Sequence, residues 1–331
     1  MRTYRYLHYD VFTDVPFEGN QLAVFPEPAG LSTEEMQTIT REMNFSECTF
    51  IFPPDPPQVT AGSPGPAGTK PMDVCMRIFT PGEELPMAGH PTIGSTFALA
   101  AEGVIKPGQE GFVFGLGVGP TPVSLEWKGE ALDFAWMTQK NPEFGGEITD
   151  RPAFARAIGV ADSDLAGPPV QVVSCGVPFL FAALASRDAV DRVSVDIKTY
   201  AAASSAAGID ELPLFIFSVE GAPAARFAQR GDTAAAREES NAEGVYSRML
   251  APGFGIAEDP ATGGASGPLG CYLFKHHLVP RERLSHLISL QGVKMRRPSR
   301  IHISIEANGE EITRVRVGGR SVRVGAGTLA F

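Results

Sequence analysis

The sequence predicts an α+β protein made of two similar lobes, and three observations support that prediction. An internal repeat places one Arg-to-Gly block at 77–82 and another at 248–253, and each block leads into a Gly-rich segment that opens a helix. Elsewhere, short β-rich runs joined by Gly and Pro turns predict mostly antiparallel strands. The length of 331 residues is enough for two hydrophobic cores. We expect residues 1–140 to form the first lobe and 141–315 the second, with 316–331 returning to the first.

In the first lobe, two helices are predicted. Ser32 and Glu35 form a capping box for a helix over 32–44, and a helix over 91–99 follows Gly89 and His90. Alternating apolar residues predict strands at 4–12, 21–25, 47–52, 73–80, 112–114, 121–127 and 131–137. Residues 53–71, rich in Pro, Gly and Ser, predict a mobile surface loop.

We expect residues 143–149 to cross from the first lobe into the second. Helices are predicted at 152–158, 188–207, 266–277 and 281–290, and strands within 170–184, at 214–219 and along 300–324. Residues 226–241 are polar and Ala-rich, and no element is assigned to them.

Composition, charge and residue spacing argue against several classes of function. The net charge of −10 argues against a nucleic-acid partner, because phosphate binding needs a basic surface. The longest apolar run, 172–185, is too short to span a membrane and contains a proline. The four cysteines are far apart without a CxxC pair, and no signal-like segment opens the chain, so we expect a reduced, cytoplasmic protein. The histidines have no metal-ligand spacing, so no metal site is predicted.

Three residues are candidates for proton chemistry. Glu47 lies in an apolar strand-forming run, where it either faces water at a sheet edge or acts as a desolvated proton shuttle. His90 opens a helix, either as a capping residue or as a neutral imidazole. Asp259 precedes the second Gly-led helix, where capping is again the simpler role. Because two of the three lie at equivalent ends of the repeat, and helix N-termini attract anions, we expect a small acidic substrate in a cleft shared by Gly89 and Gly263.

Several separate motifs, in order along nearly the whole chain, resemble the phenazine-biosynthesis PhzF-like family. They are residues 10–13, 17–20, 45–47, 77–81, 84–92, 258–263, 297–300 and 317–320. The resemblance implies a diaminopimelate-epimerase-like fold, with two pseudo-symmetric lobes in which a mostly antiparallel sheet wraps a central helix. It also implies a cofactor-independent isomerase that is usually a homodimer.

The resemblance implies that Glu47 is the family's acid/base glutamate, and that His90 and Asp259 are the histidine and aspartate of its catalytic set. In the type member of the family these groups act on trans-2,3-dihydro-3-hydroxyanthranilate, moving a proton from C3 to C1. The residues expected to contact the substrate are Ser46, Gly89, Thr262, Gly263 and Gly264. The family often has Ser at the position of Gly264, so a hydroxyl contact to the substrate is lost here.

Two alternatives stay open at this point. A racemase or epimerase of the same fold would use two thiols at the helix N-termini, but Ala88 and Thr262 occupy those places and no Cys lies beside them. A non-catalytic protein that binds a small acid is the second alternative.

Overall fold

The computed structural model describes residues 1–54, 72–219 and 243–331. The chain divides into two compact units, 1–138 with 317–331 and 139–316. Most of the predicted loop at 53–71, and the whole of 226–241, lie outside the described residues.

Outside residues 55–71, the first unit forms two helices, α1 (Thr33–Met43) and α2 (Gly89–Ala101). Its strands are β1 (Thr3–Val11), β2 (Asn20–Phe25), β3 (Glu47–Phe52), β4 (Val74–Phe79), β5 (Glu84–Leu85), β6 (Gly111–Leu116), β7 (Gly119–Lys128), β8 (Ala131–Gln139) and β18 (Ser321–Ala330).

The sheet of the first unit is built around β1, which pairs antiparallel with β2 and β18. β2 and β3 are parallel, β3 and β4 antiparallel, β4 and β6 parallel, and β6–β7–β8 a meander. α2 is buried from Gly89 to Leu99 and contacts β1, β2, β3 and β18. The helix lies so close to the sheet that a Cβ on Gly94 would come within 2.5 Å of Leu22 and 2.6 Å of Val11. Small residues on α2 therefore allow the sheet to wrap it.

α1 covers the other face of this sheet. The predicted capping box is present, since the Ser32 hydroxyl accepts from the Glu35 N–H and the Glu35 carboxylate accepts from the Ser32 N–H. Met36 and Ile39 pack with the aromatic rings of β2, β3 and β4 in a separate apolar cluster.

The described residues of the second unit form four α-helices, α3 (Arg151–Ala157), α4 (Arg187–Arg192), α5 (Ile197–Ala206) and α6 (Gly263–Lys275). Its strands are β9 (Glu143–Ile148), β10 (Val170–Ser174), β11 (Pro178–Ala183), β12 (Leu214–Ser218), β13 (Glu243–Ala251), β14 (Ile256–Asp259), β15 (Leu287–Gln291) and β16 (Ser299–Asn308). β17 (Glu311–Gly319) runs across the boundary to the first unit.

The second unit also wraps a helix. β9, β10 and β11 are antiparallel neighbours, followed by β12 parallel to β11, β13 antiparallel to β12, β15 parallel to β13 and β16 antiparallel to β15. α6 is buried along nearly its whole length and contacts β10, β11 and β16. A Cβ on Gly270 would meet Ile303 and Ile305 below 3 Å, which is the same close approach seen at α2. The predicted α+β fold class is therefore confirmed, with one sheet-wrapped helix in each unit.

Two helix predictions in the second unit are wrong. Residues 281–283 form a single 3-10 turn, and 287–291 form β15 instead of continuing a helix. The run Leu-Ile-Ser-Leu-Gln is compatible with either structure, and pairing with β13 and β16 decides for the strand. The helix predicted over 188–207 is interrupted between α4 and α5, where Asp196 caps a new helix by accepting from the Thr199 N–H.

Candidate functional site

Glu47 is the first residue of β3, directly after the end of α1. Asn44 closes α1 in the left-handed conformation (φ 51°), and the chain turns into β3 in parallel register with β2, where Glu47 lies opposite Leu22. The Glu47 side chain is only 14% exposed. It is therefore a largely buried carboxylate and not a water-facing residue at a sheet edge.

His90, the second residue of α2, lies beside this carboxylate. Its Nδ1 is 3.3 Å from Glu47 Oε2 and 3.3 Å from Asn20 Nδ2, and the side chain is 3% exposed. Desolvation lowers the pKa of His90 to about 3, and the smaller, opposite contribution of the Gln21 backbone does not offset it. His90 is therefore a neutral imidazole at neutral pH, so its contact with Glu47 is not an ion pair.

Two polar contacts hold this pair in place. The Thr49 and Ser95 hydroxyls are 2.9 Å apart and fully buried, and they join β3 to α2 at a point two residues after Glu47. The second contact is that of Asn20 with His90, and Asn20 is fully buried at the start of β2. The loop before Asn20 is held by a hydrogen bond from the Phe17 N–H to Asp10 Oδ2, at 2.6 Å. Sheet, loop and central helix together fix where the carboxylate and the imidazole meet.

The N-terminus of α2 leaves its first N–H groups without a side-chain cap within the described chain. Its N-cap is Ala88, and its first turn carries no acidic residue. Gly89 is buried and Ser46 is half-buried. Uncapped N–H groups and the helix dipole together favour an anion at such a place.

In the second unit, a buried ion pair joins β13 to β14, the strand that ends at Asp259. Arg248 on β13 donates from Nε and Nη2 to Glu258 on β14, at 3.0 and 2.8 Å, and from Nη1 to the carbonyls of Val190 and Val193 near the end of α4. In the first unit, Arg77 on β4 also donates twice to Glu84 on β5, but this ion pair is more exposed to solvent. Each pair fixes the hairpin that precedes a Gly-led helix.

Asp259 ends β14, is 7% exposed and accepts a 2.5 Å hydrogen bond on Oδ2 from the Thr262 hydroxyl. Gln291, fully buried at the end of β15, contacts both residues. Its Nε2 donates to the Asp259 carbonyl and to Thr262 Oγ1, and its Oε1 accepts from the Thr262 N–H. The turn that starts α6 is thus fixed by a side chain from another strand.

The start of α6 is uncapped by side chains among the described residues, as at α2, although Thr262 occupies the N-cap position. Gly263 is buried, and its carbonyl accepts from Gln139 Nε2 at 2.9 Å. Gly264 is half-buried, and a Cβ there would meet only the Phe179 ring, at 3.9 Å. Ser266 does not replace the missing hydroxyl, because it is buried and its Oγ donates to the Thr262 carbonyl.

None of the four cysteines has the character of a catalytic thiolate. All four are buried. Burial raises the pKa of Cys48 to about 12, and the neighbouring Cys175, 3.9 Å away, together with burial raises the pKa of Cys271. Cys271 also lies deep in α6 and not at its N-terminus. The described residues contain no group of three His, Cys, Asp or Glu side chains that could hold a metal ion.

The predicted residues thus form two groups. Glu47 and His90 meet in the first unit, with Ser46 and Gly89 adjacent to them in sequence. Residues 259–264 are gathered at the start of α6 in the second unit. The predicted cleft shared by both groups stays a prediction.

Sequence reasoning missed two polar residues in these groups. Asn20 belongs to a motif that carries the family resemblance, and this was a usable signal. Gln291 gave no signal, because it follows a run that was assigned to a helix.

A largely buried carboxylate beside a neutral imidazole is typical of an acid/base enzyme. The family model for phenazine biosynthesis-like proteins, PhzC-PhzF, matches residues 9–327. The chain belongs to this family.

Relatives agree with that assignment. "Uncharacterized isomerase mll1393" of Mesorhizobium japonicum is 33% identical over 333 residues, which cover 99% of each chain. Trans-2,3-dihydro-3-hydroxyanthranilate isomerase of Pseudomonas fluorescens is 30% identical over 328 residues, covering 99% of this chain and 100% of that enzyme. A PhzF-family phenazine biosynthesis protein of Bacillus anthracis has the same fold, with a TM-score of 0.78 over 100% of both chains at 22% identity. The chain is an isomerase of this family. None of the described helices is long and apolar enough to cross a membrane.

Proposed function

We propose that the chain isomerises a small cyclic amino or hydroxy acid without a cofactor, by proton transfer through Glu47. The observation that carries the proposal is the position of this carboxylate, 14% exposed and 3.3 Å from His90. Partial exposure gives a substrate access to the carboxylate, while the buried surroundings keep bulk water away from the proton being moved.

In this proposal, Glu47 takes a proton from one substrate carbon as a carboxylate and returns it to another as a carboxylic acid. The substrate keeps its formula, and Glu47 ends in its starting state. His90, neutral because it is buried, has one N–H and one lone pair with which to orient its partners. We assign Asp259 to orientation of the substrate, and this assignment rests on the family resemblance.

The acidic group of the substrate would be bound at a helix N-terminus. α2 and α6 both begin without an acidic residue in the first turn and without a side-chain cap among the described residues, so their N–H groups and helix dipoles favour an anion there. Ser46, Gly89, Thr262, Gly263 and Gly264 are the proposed contacts. Trans-2,3-dihydro-3-hydroxyanthranilate is the first substrate to test, because relatives that match nearly the whole chain carry that activity in their names.

The test is proton exchange and turnover in D₂O, followed by proton NMR, for the wild type and for Glu47→Gln. The amide keeps the shape of the side chain but cannot accept the proton, so turnover should fall by about 10²- to 10⁴-fold. Glu130→Gln, in the exposed turn between β7 and β8, is the matched control and should retain full turnover. Near-normal turnover of Glu47→Gln would contradict the proposal.

The same experiment separates the alternatives. An epimerase would return the proton to the carbon that lost it, so the product would be a stereoisomer of the substrate. A non-catalytic binding protein would exchange no deuterium into any ligand that it binds.

A further inference from the structure

We propose that Gln291 is a positioning residue, which directs the Thr262 hydroxyl proton toward Asp259. The inference rests on the proposed function for the role of Asp259 in the reaction. The geometry of the three side chains supports it independently of any substrate.

The orientation of the Gln291 amide follows from its backbone partners. Oε1 lies 3.1 Å from the Thr262 backbone nitrogen, which can only donate a hydrogen bond. Nε2 lies 2.8 Å from the Asp259 carbonyl oxygen, which can only accept one. A flipped amide would place donor against donor and acceptor against acceptor. Only one orientation satisfies both backbone groups.

This orientation determines the direction of the next hydrogen bond. Gln291 Nε2 also lies 2.9 Å from Thr262 Oγ1 and donates to it, so the hydroxyl accepts on that side. The single hydroxyl proton is then left for Asp259 Oδ2, 2.5 Å away. Asp259 Oδ2 is therefore held as an acceptor, and the carboxylate has one fixed orientation at the start of α6.

The backbone after Gln291 strengthens the arrangement. Gly292 has φ +75°, and a Cβ there would lie 2.4 Å from the Arg297 carbonyl oxygen and 2.6 Å from the Pro260 carbonyl oxygen. The end of β15 is therefore packed directly against the segment that joins Asp259 to Thr262. In the first unit, β6 pairs with β4 as β15 pairs with β13, but β6 ends at the apolar Leu116, so the amide is a feature of the second unit.

The test compares crystal structures and kinetics of Gln291→Met and Thr262→Val. Met keeps the length of the Gln side chain and removes its three hydrogen bonds, and Val keeps the shape of Thr and removes its hydroxyl. Gln171→Met is the matched control, because Gln171 is also buried in the second unit but bonds to Gly145 and His276. Thr262→Ser, which keeps the hydroxyl, is the conservative variant.

If Gln291 positions Asp259, the Asp259 carboxylate in the Gln291→Met variant should lie more than about 3.5 Å from Thr262 Oγ1. The kcat should fall by roughly 10- to 100-fold, as expected when a group that orients the substrate is misplaced by about 1 Å, while KM changes little. In a Thr262→Val background, Gln291→Met should cost almost nothing more, because the hydroxyl it directs is already gone. Thr262→Ser should keep most of the wild-type kcat.

A contact between Asp259 and Thr262 that is unchanged in Gln291→Met would overturn the proposal. So would a kcat loss that adds fully to that of Thr262→Val, or an equal loss in Gln171→Met. If Gln291→Met fails to fold, the structure of Thr262→Val decides, since Asp259 should turn away there although Gln291 keeps its bond to the Asp259 carbonyl. The crystal structures need no substrate, so they test the role of Gln291 whatever the reaction is. Failure of the proposed function would be seen separately, as near-normal turnover of the Glu47→Gln variant.

Discussion

Burial of His90 should make the protein sensitive to mild acid. The imidazole is 3% exposed, and desolvation holds its pKa at about 3, against 6.5 for the free side chain. As pH falls below 6.5, the unfolded chain binds a proton at this residue before the folded chain does. The stabilising contribution is therefore complete above pH 6.5 and is lost progressively down to about pH 3.

The size of the effect follows from those two values. At pH 5, protonation of this imidazole stabilises the unfolded state relative to the folded state by RT ln(1 + 10^1.5), which is about 2 kcal/mol. This is a large part of a typical unfolding free energy of roughly 5–15 kcal/mol.

The assay is urea unfolding of the wild type and His90→Gln at pH 8 and pH 5. The Gln variant has no imidazole to protonate, so it should lose about 2 kcal/mol less than the wild type between the two pH values. His286→Gln, at an exposed histidine, is the control and should follow the wild type. Identical pH dependence of the wild type and His90→Gln would refute the argument that burial keeps this imidazole neutral.

Two further predictions concern the second unit. Arg248→Met should lower the free energy of unfolding by about 3–5 kcal/mol, because it leaves Glu258 buried without its cation. Arg192→Met, at an exposed ion pair, should lower it by less than about 1 kcal/mol. Equal losses of the two variants in urea unfolding would contradict this prediction. Gly264→Ser should fold normally, with Tm unchanged or slightly raised, because its Cβ would only touch the Phe179 ring at 3.9 Å and glycine disfavours helix by roughly 1 kcal/mol. A clear fall in Tm in thermal unfolding would mean that this site has no room for a side chain.

Local patterns in the sequence were sufficient where the interactions are local or repeated. The capping box of Ser32 and Glu35 needs only residues within one turn of α1, and it forms as predicted. The spacing of Arg77 and Arg248 also identified two equivalent strands, each of which leads through a hairpin to a buried helix. Such features depend on neighbours in the chain, so a single sequence contains the information.

Long-range contacts decided the rest. Residues 287–290 could form a helix or a strand, and only pairing with β13 and β16 made them a strand. The same pairing brought Gln291 to Asp259, 32 residues away in sequence. Glu47 was compatible with an exposed edge until packing of α2 placed His90 3.3 Å from it.

The sequence by itself determined the repeat, the Gly-led helices and the residue types available for proton chemistry. Only the tertiary structure decided which of them are desolvated and hydrogen-bonded to each other, because burial and hydrogen bonding depend on neighbours that are distant in the chain.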